Sequence, residues 1–600
     1  MASDSHTDRH TIKLQNRLSV LREKLIRVRN LRLTVALTFI SLLVIYTIKP
    51  VWFGLLLPLP LLIAAFGFFV RSTRQLETHV QDLEALCEFY QRQLQRGLGH
   101  WKKNDKLKMT VPNPAAQSLV NDLDLDSLFS HIDETFSEIG NKRLSDWMVV
   151  PELKLEQLLE RHSKIIAAQK YLGFFRHLRV HGQFMAKTQI LEFLKHPLFK
   201  PDFLAKYKIL KGLWVLVLVS WIFKLFFIPK IPLFLFWIAY FIMSMISLES
   251  VREIFNQAQD LSQQLKPLMR VFKHIEKMRS SPDLANFSPT LALRPLSKSL
   301  MKLDLLLSGL STAAHPFVHV LLNAFVPWTP FFSTRVERWR MEMSNLLPQA
   351  LDDLGTTEAQ ASLAFLFRYQ TKTLPTFSTS PELQFRDLVH PLIDRSKARP
   401  NDFNLLPPTS LILITGSNMS GKSTFLRTIG VNHVLAMMGA PVFASEFKTH
   451  LARITPCIRI SDSLRDGYSY FFTEVVKLKE ILDDSRGEVP ILYLIDEMFR
   501  GTNNRERLIG SKCFIDDILK TKNIGFITTH DLELTQISDE HSRQLENWHF
   551  SEKIEGQTMT FPYKIHKGPC PTTNALKIMS LVGLPVPKKS LHPSEKKTTI

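Results

Sequence analysis

A glycine-rich segment lies between a short apolar run and a stretch with helical character. The sequence reads SLILITGSNMSGKSTFL, with the apolar run at Leu411–Ile414. Glycines let backbone N–H groups curl around phosphate oxygens, and the start of a helix adds positive potential. Lys422 can reach the β- and γ-phosphates of a nucleotide, and Ser423 can offer its hydroxyl to Mg²⁺. The segment predicts a phosphate-binding loop (P-loop) for ATP and Mg²⁺, and the residues expected to contact the nucleotide are Gly416, Ser417, Asn418, Met419, Ser420, Gly421, Lys422, Ser423 and Thr424.

Two acidic residues follow a second apolar run. The run Ile491-Leu-Tyr-Leu-Ile ends in Asp496 and Glu497, about 75 residues after Gly421. At that distance from a P-loop, we expect Asp496 to be a ligand of the Mg²⁺ ion together with Ser423. Glu497 is left to polarise the attacking water, which makes it the predicted catalytic base.

A histidine ends a third apolar run. The run Ile524–Thr529 is followed by His530, which is placed to sense a γ-phosphate. A histidine at such a position is equally often a satisfied loop residue, so both interpretations stay open, and His530 is named as a second candidate catalytic residue.

Short β-branched runs alternate with helical stretches from about Leu383 onwards. SLILITG, EVPILYLIDE and NIGFITTH are examples of these runs. Alternation of strands and helices is typical of a mostly parallel α/β sheet. The two preceding regions, 121–200 and 249–370, are rich in leucine at helical spacing and predict helices instead.

Composition restricts the class of partner. The chain has 600 residues, 45% of them hydrophobic, and a net charge of +19. An excess of positive charge favours an anionic partner, either nucleic acid or the negative inner face of a membrane. The four cysteines lie far apart without metal-ligand spacing, which argues against a zinc site and a disulfide framework and suits the cytoplasm.

Two pairs of apolar runs interrupt the chain. They are Leu33–Ile48 with Val51–Val70, and Leu213–Ile228 with Ile231–Leu248, and each pair is joined by a Lys and a Pro. Runs of this length form helices of roughly 24–30 Å, close to the hydrocarbon thickness of a bilayer. We predict two transmembrane hairpins, while re-entrant hairpins and buried soluble hairpins remain alternatives.

Basic residues flank both predicted hairpins on the side of the long polar regions. Five precede the first hairpin, at Arg22, Lys24, Arg27, Arg29 and Arg32, and each turn carries only one lysine. By the positive-inside rule, all long soluble parts are expected to be cytoplasmic, on a multi-pass protein of the cell (inner) membrane.

Heptad-like apolar spacing flanks the first hairpin on both sides. It covers Leu14 to Val28 before the hairpin and Leu76 to Leu94 after it. Because a hairpin returns the chain to the same side, the two helices can pair antiparallel as a stalk. Separate packing of each helix on other domains is an equal alternative.

Several segments together resemble the MutS mismatch-repair family. TGSNMSGKST, DEMFRGTNNRER and ITTHDLELTQI look like the ATPase domain of that family, and ISDSLRDGYSYFFTEV looks like its counterpart of an ABC signature. The resemblance implies a homodimer in which Ser469 reaches the γ-phosphate bound by the other subunit, with Gly501–Asn504 lining the same interface. It also implies DNA as a partner. The similarity extends to the helical core and lever, and covers about 125–200 and 280–585.

Three departures from the family pattern bear on function. A membrane hairpin and stalk occupy the place of the mismatch-reading domain, so mismatch specificity is not expected. Phe499 stands where the family has a glycine after the acid pair. The aromatic residue expected to stack on adenine ahead of Asn401-Asp402 is replaced by Ala398 or a neighbour, which leaves the adenine contact unassigned.

The predicted fold class is α+β and multidomain, with transmembrane helical hairpins, an all-α core and lever, and a C-terminal α/β P-loop (ABC-type) ATPase domain. The predicted parts are a basic helix (1–32), hairpin 1 (33–70), a helical stalk (71–120), the first helical core part (121–212), hairpin 2 (213–248), the second core and lever part (249–380), the ATPase domain (381–585) and a disordered basic tail (586–600). The expected function is a membrane-tethered ATPase that couples ATP to DNA binding. The alternative is a membrane-embedded ATPase that acts on a protein or lipid, without nucleic acid.

Overall fold

The structure is a computed structural model. It describes residues 2–48, 58–98, 109–182, 189–196, 248–278, 295–313, 315–325, 328–368, 373–394, 396–417, 419–459, 470–555 and 558–571, with a few isolated positions between 209 and 238. The second apolar hairpin, the turn of the first and the basic tail lie largely or wholly outside these residues, as do Asn418 and Ser469.

The helices of the described residues are, in chain order, α1 Ala2–Ile48, α2 Leu59–Leu98, α3 Pro114–Leu123, α4 Leu125–Ile132, α5 Glu138–Val149, α6 Leu155–Lys170, α7 Leu172–Gly182, α8 Gln189–Lys195, α9 Leu248–Glu276, α10 Leu296–Thr312, α11 Pro316–Phe325, α12 Trp328–Met343, α13 Leu346–Phe365, α14 Lys422–Met437, α15 Tyr470–Ser485, α16 Asn504–Ile518 and α17 Ile537–Glu540.

The strands of the described residues lie in the C-terminal part of the chain. They are β1 Thr376–Ser378, β2 Leu383–Leu388, β3 Asn401–Leu405, β4 Leu411–Thr415, β5 Glu446–His450, β6 Arg453–Cys457, β7 Ile491–Asp496, β8 Ile524–Thr529, β9 Leu545–Phe550, β10 Lys553–Glu555, β11 Thr558–Thr560 and β12 Ile565–Lys567.

The chain divides into two compact units. The first, here called the helical unit, comprises residues 1–97, 135–140 and 173–358. The second, the sheet unit, comprises residues 98–134, 141–172 and 359–600. The fold is therefore mixed α/β, with a helical N-terminal part and its sheets towards the C-terminus.

The first helix of the helical unit is longer than the sequence divisions predict. The basic segment 1–32 and the apolar run from Leu33 form one continuous helix, α1. Its sequence contains no glycine or proline between Ala2 and Ile48, so nothing breaks the backbone hydrogen bonding where polar residues give way to apolar ones.

The polar halves of α1 and α2 pair antiparallel, as the heptad spacing predicts. Leu25 packs against Leu76 and Val80 in a small core. Arg22 contacts Glu84 at 2.6 Å, and Arg29 contacts Glu77 at 2.7 Å. A step of seven residues forward in α1 thus matches seven backward in α2, which defines an antiparallel stalk.

Among the described residues, one helix is long and apolar enough to cross a membrane. Thr11–Ile45 includes a window of mean hydropathy 1.7 that is not buried at all. A second candidate arises only if α10 and Phe317–Asn323, bent by 106°, are counted as one span. Because α10 buries six of its leucines in the helical unit, we regard it as a core helix. The expectation of a multi-pass protein therefore goes beyond what the described residues support.

A helical bundle forms the rest of the helical unit. The buried leucines of α10 recur at helical spacing, from Leu296 to Leu310, and α10 packs against α9 and α12. Trp339 of α12 is 1% exposed, and its indole N–H donates to the Ser299 carbonyl of α10 at 2.9 Å. This buried indole ties the two helices together.

The sheet unit contains a six-stranded sheet in the order β12-β9-β4-β8-β7-β6. All neighbours are parallel except β12 and β9, which confirms the mostly parallel sheet. The strands β4, β7 and β8 are buried along their whole length, as expected of strands covered on both faces. Because they are parallel, their carboxyl ends meet at one edge.

A second sheet precedes the first strand of the large one. It has four strands in the order β1-β5-β2-β3, and β2 runs antiparallel to both of its neighbours. This sheet was not predicted, because its strands are short and β5 lies far along the chain from β1 and β2, its partners in the sheet.

A glycine in β8 makes room for a buried ring in β7. Gly525 is the direct partner of Tyr493, and a Cβ on Gly525 would lie 2.2 Å from the Tyr493 ring. Gly525→Ala should destabilise the sheet unit by about 2 kcal/mol, the typical cost of overpacking. Calorimetry of the purified chain should show a transition shifted down by several degrees.

The matched control is Gly487→Ala, where the new methyl group would meet only the Asp484 carbonyl oxygen at 3.2 Å. Combining Gly525→Ala with Tyr493→Leu should cost less than the sum of the two single changes. Additive costs would contradict the steric explanation.

Candidate functional site

A glycine loop, defined as residues 416–421, joins β4 to α14. Gly416 and Gly421 have positive φ angles of 146° and 106°. A Cβ on Gly416 would lie 2.5 Å from the Phe550 carbonyl oxygen, so the close approach of the two backbones requires glycine. The loop turns tightly from the strand end into the first turn of α14.

Lys422 starts α14 and folds back over the glycine loop. The residue is 5% exposed, and its ammonium donates to the carbonyl oxygens of Gly416 at 2.8 Å and Ser417 at 3.0 Å. Burial lowers the pKa of Lys422, while the charges of Glu497 and Asp496 oppose that change. The cation is therefore held at the mouth of the loop by backbone acceptors.

The two acids lie where β7 ends, beside the end of β8. Asp496 is 7% exposed, and its Oδ1 accepts a hydrogen bond from the Thr528 hydroxyl at 2.6 Å. Glu497 has a left-handed φ of 62°, and its N–H donates to the Thr528 carbonyl at 3.2 Å. This turn directs consecutive acids to different positions at one edge of the sheet.

His530 contacts both Glu497 and Lys422. Its Nε2 lies 2.7 Å from Glu497 Oε1 and 3.3 Å from Lys422 Nζ. Burial acts to raise the pKa of Glu497, but the His530 hydrogen bond and the charge of Arg500 outweigh it, so that the pKa is lowered. Glu497 is therefore ionised at neutral pH. Three residues predicted from separate segments thus form one contact group.

Arg500 is a member of the site that sequence reasoning did not single out. Its Nε lies 3.2 Å from Glu497 Oε2, and a terminal nitrogen lies 3.3 Å from Asp496 Oδ2. Its backbone N–H faces both carboxylate oxygens of Glu474, at 3.3 and 3.1 Å. The arginine belongs to the DEMFRGTNNRER segment. Its position four residues after Asp496 does not by itself show that it contacts both acids.

The remaining loop residues have diverse environments. The Ser417 hydroxyl donates to Glu552 at 2.7 Å, and the Ser420 hydroxyl donates to the Ser417 carbonyl at 2.7 Å. Met419 is 83% exposed. Ser423 is partly buried and Thr424 is exposed on the first turn of α14. The loop is thus tied internally while part of its surface faces solvent.

A cavity of about 290 Å³ opens beside the glycine loop. Its lining comprises Leu388, Val389, His390, Ile393, Lys397, Ala398, Arg399, Asn401, Gly421, Thr424, Phe425, Thr428, Phe550 and Tyr563. Ala398 lines this cavity and offers no aromatic ring. The exposed aromatic ring of the cavity belongs to Tyr563. That ring lies 3.0 Å from where a Cβ on Gly421 would be.

Asn401 holds Tyr563 in place from β3. Its Nδ2 donates to the Tyr563 carbonyl at 3.0 Å, and its Oδ1 accepts from the Ile565 N–H at 3.0 Å. His390 lines the same cavity and is half-buried, and desolvation lowers its pKa to about 4, so its imidazole is neutral at pH 7. Because Tyr563 lies far along the chain from Asn401, local spacing gave no signal of this pairing.

Among the residues that the structure describes, no three His, Cys, Asp or Glu side chains are arranged to hold a metal ion. Ser423 and Asp496, predicted as Mg²⁺ ligands, offer a hydroxyl and a carboxylate oxygen, which is the donor chemistry that Mg²⁺ prefers.

The fold and the site define an α/β domain whose glycine loop, lysine and acid pair meet at the carboxyl edge of a parallel sheet. The family model of MutS domain V matches residues 412–597, which include all of these groups. This match supports a relationship to the MutS family for residues 412–597 of the chain. Domain V is the ATPase domain of that family, and the chain therefore carries a MutS-like ATPase domain.

Phe499 adopts a backbone conformation that favours glycine. Its φ is 56°, and its ring contacts the core of the sheet unit beside Phe471. A non-glycine residue in this region costs roughly 1 kcal/mol or more. Both Phe499→Ala and Phe499→Gly lose the ring, but only glycine relieves the backbone. Phe499→Gly should therefore be about 1 kcal/mol more stable than Phe499→Ala.

Thermal unfolding of the two variants, measured side by side, tests this difference because the lost packing is nearly the same in both. An alanine variant as stable as the glycine variant would show that the backbone is not strained at this position.

Proposed function

We propose that the chain is a membrane-tethered MutS-like ATPase that couples ATP binding and hydrolysis in a dimer to DNA binding. The observation that supports it most is the contact group of Lys422, His530 and Glu497, with distances of 3.3 and 2.7 Å. A buried cation, an imidazole and an ionised carboxylate converge beside the glycine loop. This combination suits a bound triphosphate and an attacking water.

Each residue of the group has a distinct role in the proposal. The N–H groups of residues 416–424 and the Lys422 ammonium bind the phosphates. Glu497 accepts the proton of the attacking water, and His530 lies close enough to contact the γ-phosphate while it orients Glu497. Ser423 and Asp496 would hold Mg²⁺, which neutralises phosphate charge when bound.

The roles of Lys422 and Glu497 are separable by mutation. Lys422→Ala should abolish nucleotide binding, because the phosphates lose their main point charge. Glu497→Gln should keep binding and lower kcat at least 100-fold, since the water loses its base. ATP binding by fluorescence titration and phosphate release by a coupled assay measure the two effects.

The control for charge removal is Lys520→Ala, since that lysine is 74% exposed and pairs only with Asp517 among the contacts seen here. A Glu497→Gln variant with the parent kcat would exclude Glu497 as the base.

The cavity beside the glycine loop is the proposed base pocket. Its position next to Gly421 and Thr424 would place a purine ring within reach of the exposed face of Tyr563. Tyr563 thereby supplies the aromatic group that the chain lacks at Ala398, and the neutral His390 offers a polar group at the wall.

Tyr563→Ala should raise the KM for ATP about tenfold with little change in kcat, because stacking on an aromatic ring is worth roughly 1–3 kcal/mol per base. Tyr563→Phe keeps the ring and is the matched control, with an expected KM within twofold of the parent. Steady-state kinetics over a range of ATP concentrations decides the matter. A selective fall in kcat would place Tyr563 at the chemistry instead of the base.

The dimer follows from family behaviour and from segments near the site. Proteins of the MutS family act as dimers that bind ATP and DNA. In the proposal, Ser469 and the loop Gly501–Asn504 of one subunit face the nucleotide of the other. Asn503 already caps α16, where its Oδ1 accepts from the Glu506 N–H at 2.9 Å. The loop before it is thus anchored at its helical end.

Membrane tethering rests on the apolar halves of α1 and α2. Leu33, Leu37 and Ile40 are 55–61% exposed, and Leu61 and Phe68 are 74% and 67% exposed. Leaving so many large apolar side chains in water is unfavourable, whereas a bilayer removes that cost. In this proposal, the Arg residues between the stalk contacts and the apolar halves of the two helices mark the boundary to the cytoplasmic side.

DNA is the partner favoured by the family and by the net charge of +19. Binding should be insensitive to a mismatch, because discrimination in a duplex needs a side chain that unstacks bases, and unstacking costs a few kcal/mol per step. Competition binding of the full-length chain to perfect, mismatched and branched duplexes, at two salt concentrations, should give equal affinities for the first two.

The affinity should fall steeply with salt, since phosphate contacts release counterions. A mismatch preference of tenfold, about 1.4 kcal/mol, would contradict the proposed lack of specificity. No salt-dependent binding to any duplex would instead favour a protein or lipid partner.

A further inference from the structure

Asp122 is a fully buried carboxylate outside the group of residues described above. It lies near the end of α3 and is 0% exposed. Its Oδ1 accepts from the Arg459 N–H at 2.6 Å, and its Oδ2 accepts from the Lys477 ammonium at 2.8 Å. A buried charge of this kind is tolerated only with such partners. The pair therefore fixes α3 against α15, the helix that contains Lys477.

Lys477 shares α15 with a second buried carboxylate. Glu474 precedes it by three positions, close to one helical turn, and is 0% exposed. Both Glu474 oxygens accept from the Arg500 N–H, at 3.3 and 3.1 Å. The helix is thus held by Asp122 through Lys477, and it holds the Arg500 backbone through Glu474.

Arg500 also contacts both acids of the site through its side chain. Its guanidinium lies 3.2 Å from Glu497 Oε2 and 3.3 Å from Asp496 Oδ2. Polar contacts therefore connect Asp122 to Lys477 and Glu474 to Arg500, and the backbone of α15 joins the lysine and glutamate positions on the way to the proposed catalytic base. Each contact joins described side chains or backbone groups, and a shift of α15 would move Arg500 relative to Glu497.

The other contacts of α3 do not depend on the Asp122 side chain. The Arg427 Nε donates to the Asp122 carbonyl at 3.1 Å, and the Leu123 side chain packs where a Cβ on Gly430 would lie, 2.6 Å away. Both partners belong to α14, the helix that begins with Lys422. A change of the carboxylate alone can thus leave the phosphate-binding side of the site in place.

We propose that Asp122 is a positioning residue for ATP hydrolysis, which acts through Lys477, Glu474 and Arg500 to set the orientation of Glu497. The inference rests on the proposed ATPase function. Its consequence is that the position of α3 governs the rate of hydrolysis more than the affinity for ATP. A partner that displaced α3 would change turnover through this route.

Steady-state kinetics of the full-length protein tests the proposal with Asp122→Asn. The amide still accepts from the Arg459 N–H but presents an NH₂ donor to the Lys477 ammonium. We expect kcat to fall at least tenfold, since small displacements of catalytic groups cost that much or more. The KM for ATP and the dissociation constant of a non-hydrolysable ATP analogue should stay within twofold of the parent.

The control is Lys479→Met on the same helix, whose ammonium is 72% exposed and pairs with Asp483. It should leave kcat unchanged. Lys477→Met should reproduce the loss seen with Asp122→Asn, whereas Lys477→Arg keeps the cation and should retain most of kcat. These lysine variants keep the proposal testable if Asp122→Asn does not fold.

Double variants distinguish positioning from a general loss of stability. Asp122→Asn with Lys477→Gln allows an amide pair to form and should recover at least threefold in kcat over Asp122→Asn alone. Adding Asp122→Asn to Glu474→Gln should lower kcat by no more than twofold further, because the route is already weakened. Losses that multiply in full, or a KM that rises with the fall in kcat, would overturn the inference.

Activity of the parent protein distinguishes a failure of the proposed function from a failure of the role of Asp122. If it has no ATPase activity, the proposed function fails. If it is active and Asp122→Asn turns over ATP at the same rate, the function stands and the role of Asp122 is excluded.

Discussion

Asp496 and Thr528 lie opposite each other where β7 and β8 end, and the Thr528 hydroxyl donates to the Asp496 carboxylate over 2.6 Å. This pairing fixes the relative height of the two strands at the edge where the site lies. Because β8 also pairs with β4, the same register sets the start of the glycine loop. The positions of the site residues therefore depend first on the alignment of the three parallel strands β4, β7 and β8.

Charge balance at this edge is the second constraint. Two acids and Lys422 come close together in a partly buried setting, which is unfavourable unless opposite charges are paired. His530 and Arg500 contact Glu497 from two sides, at 2.7 and 3.2 Å. The arrangement keeps Glu497 ionised, as its proposed role requires, and it connects the acid pair to α15 through the backbone of Arg500.

The chain turns through two left-handed residues directly after β7. Glu497 and Phe499 both have positive φ angles, although neither is a glycine. The aromatic ring of Phe499 packs on the core beside Phe471 and helps to hold a conformation that its backbone alone disfavours.

The sequence by itself determined the elements that local pattern controls. Apolar runs ending in Gly416, Asp496 and His530 identified three strands and their terminal groups, because parallel buried strands are continuous in sequence and their ends carry polar residues. The heptad spacing of the stalk was likewise visible, since side chains three and four apart share a helix face. Only the tertiary structure decided which distant residues complete the site. Packing between elements far apart in the chain sets the positions of Tyr563, Arg500 and Asp122. Contacts of this kind produce no regular spacing in the sequence from which they could be predicted. The unpredicted four-stranded sheet has the same cause, because its strands are short and their partners are remote.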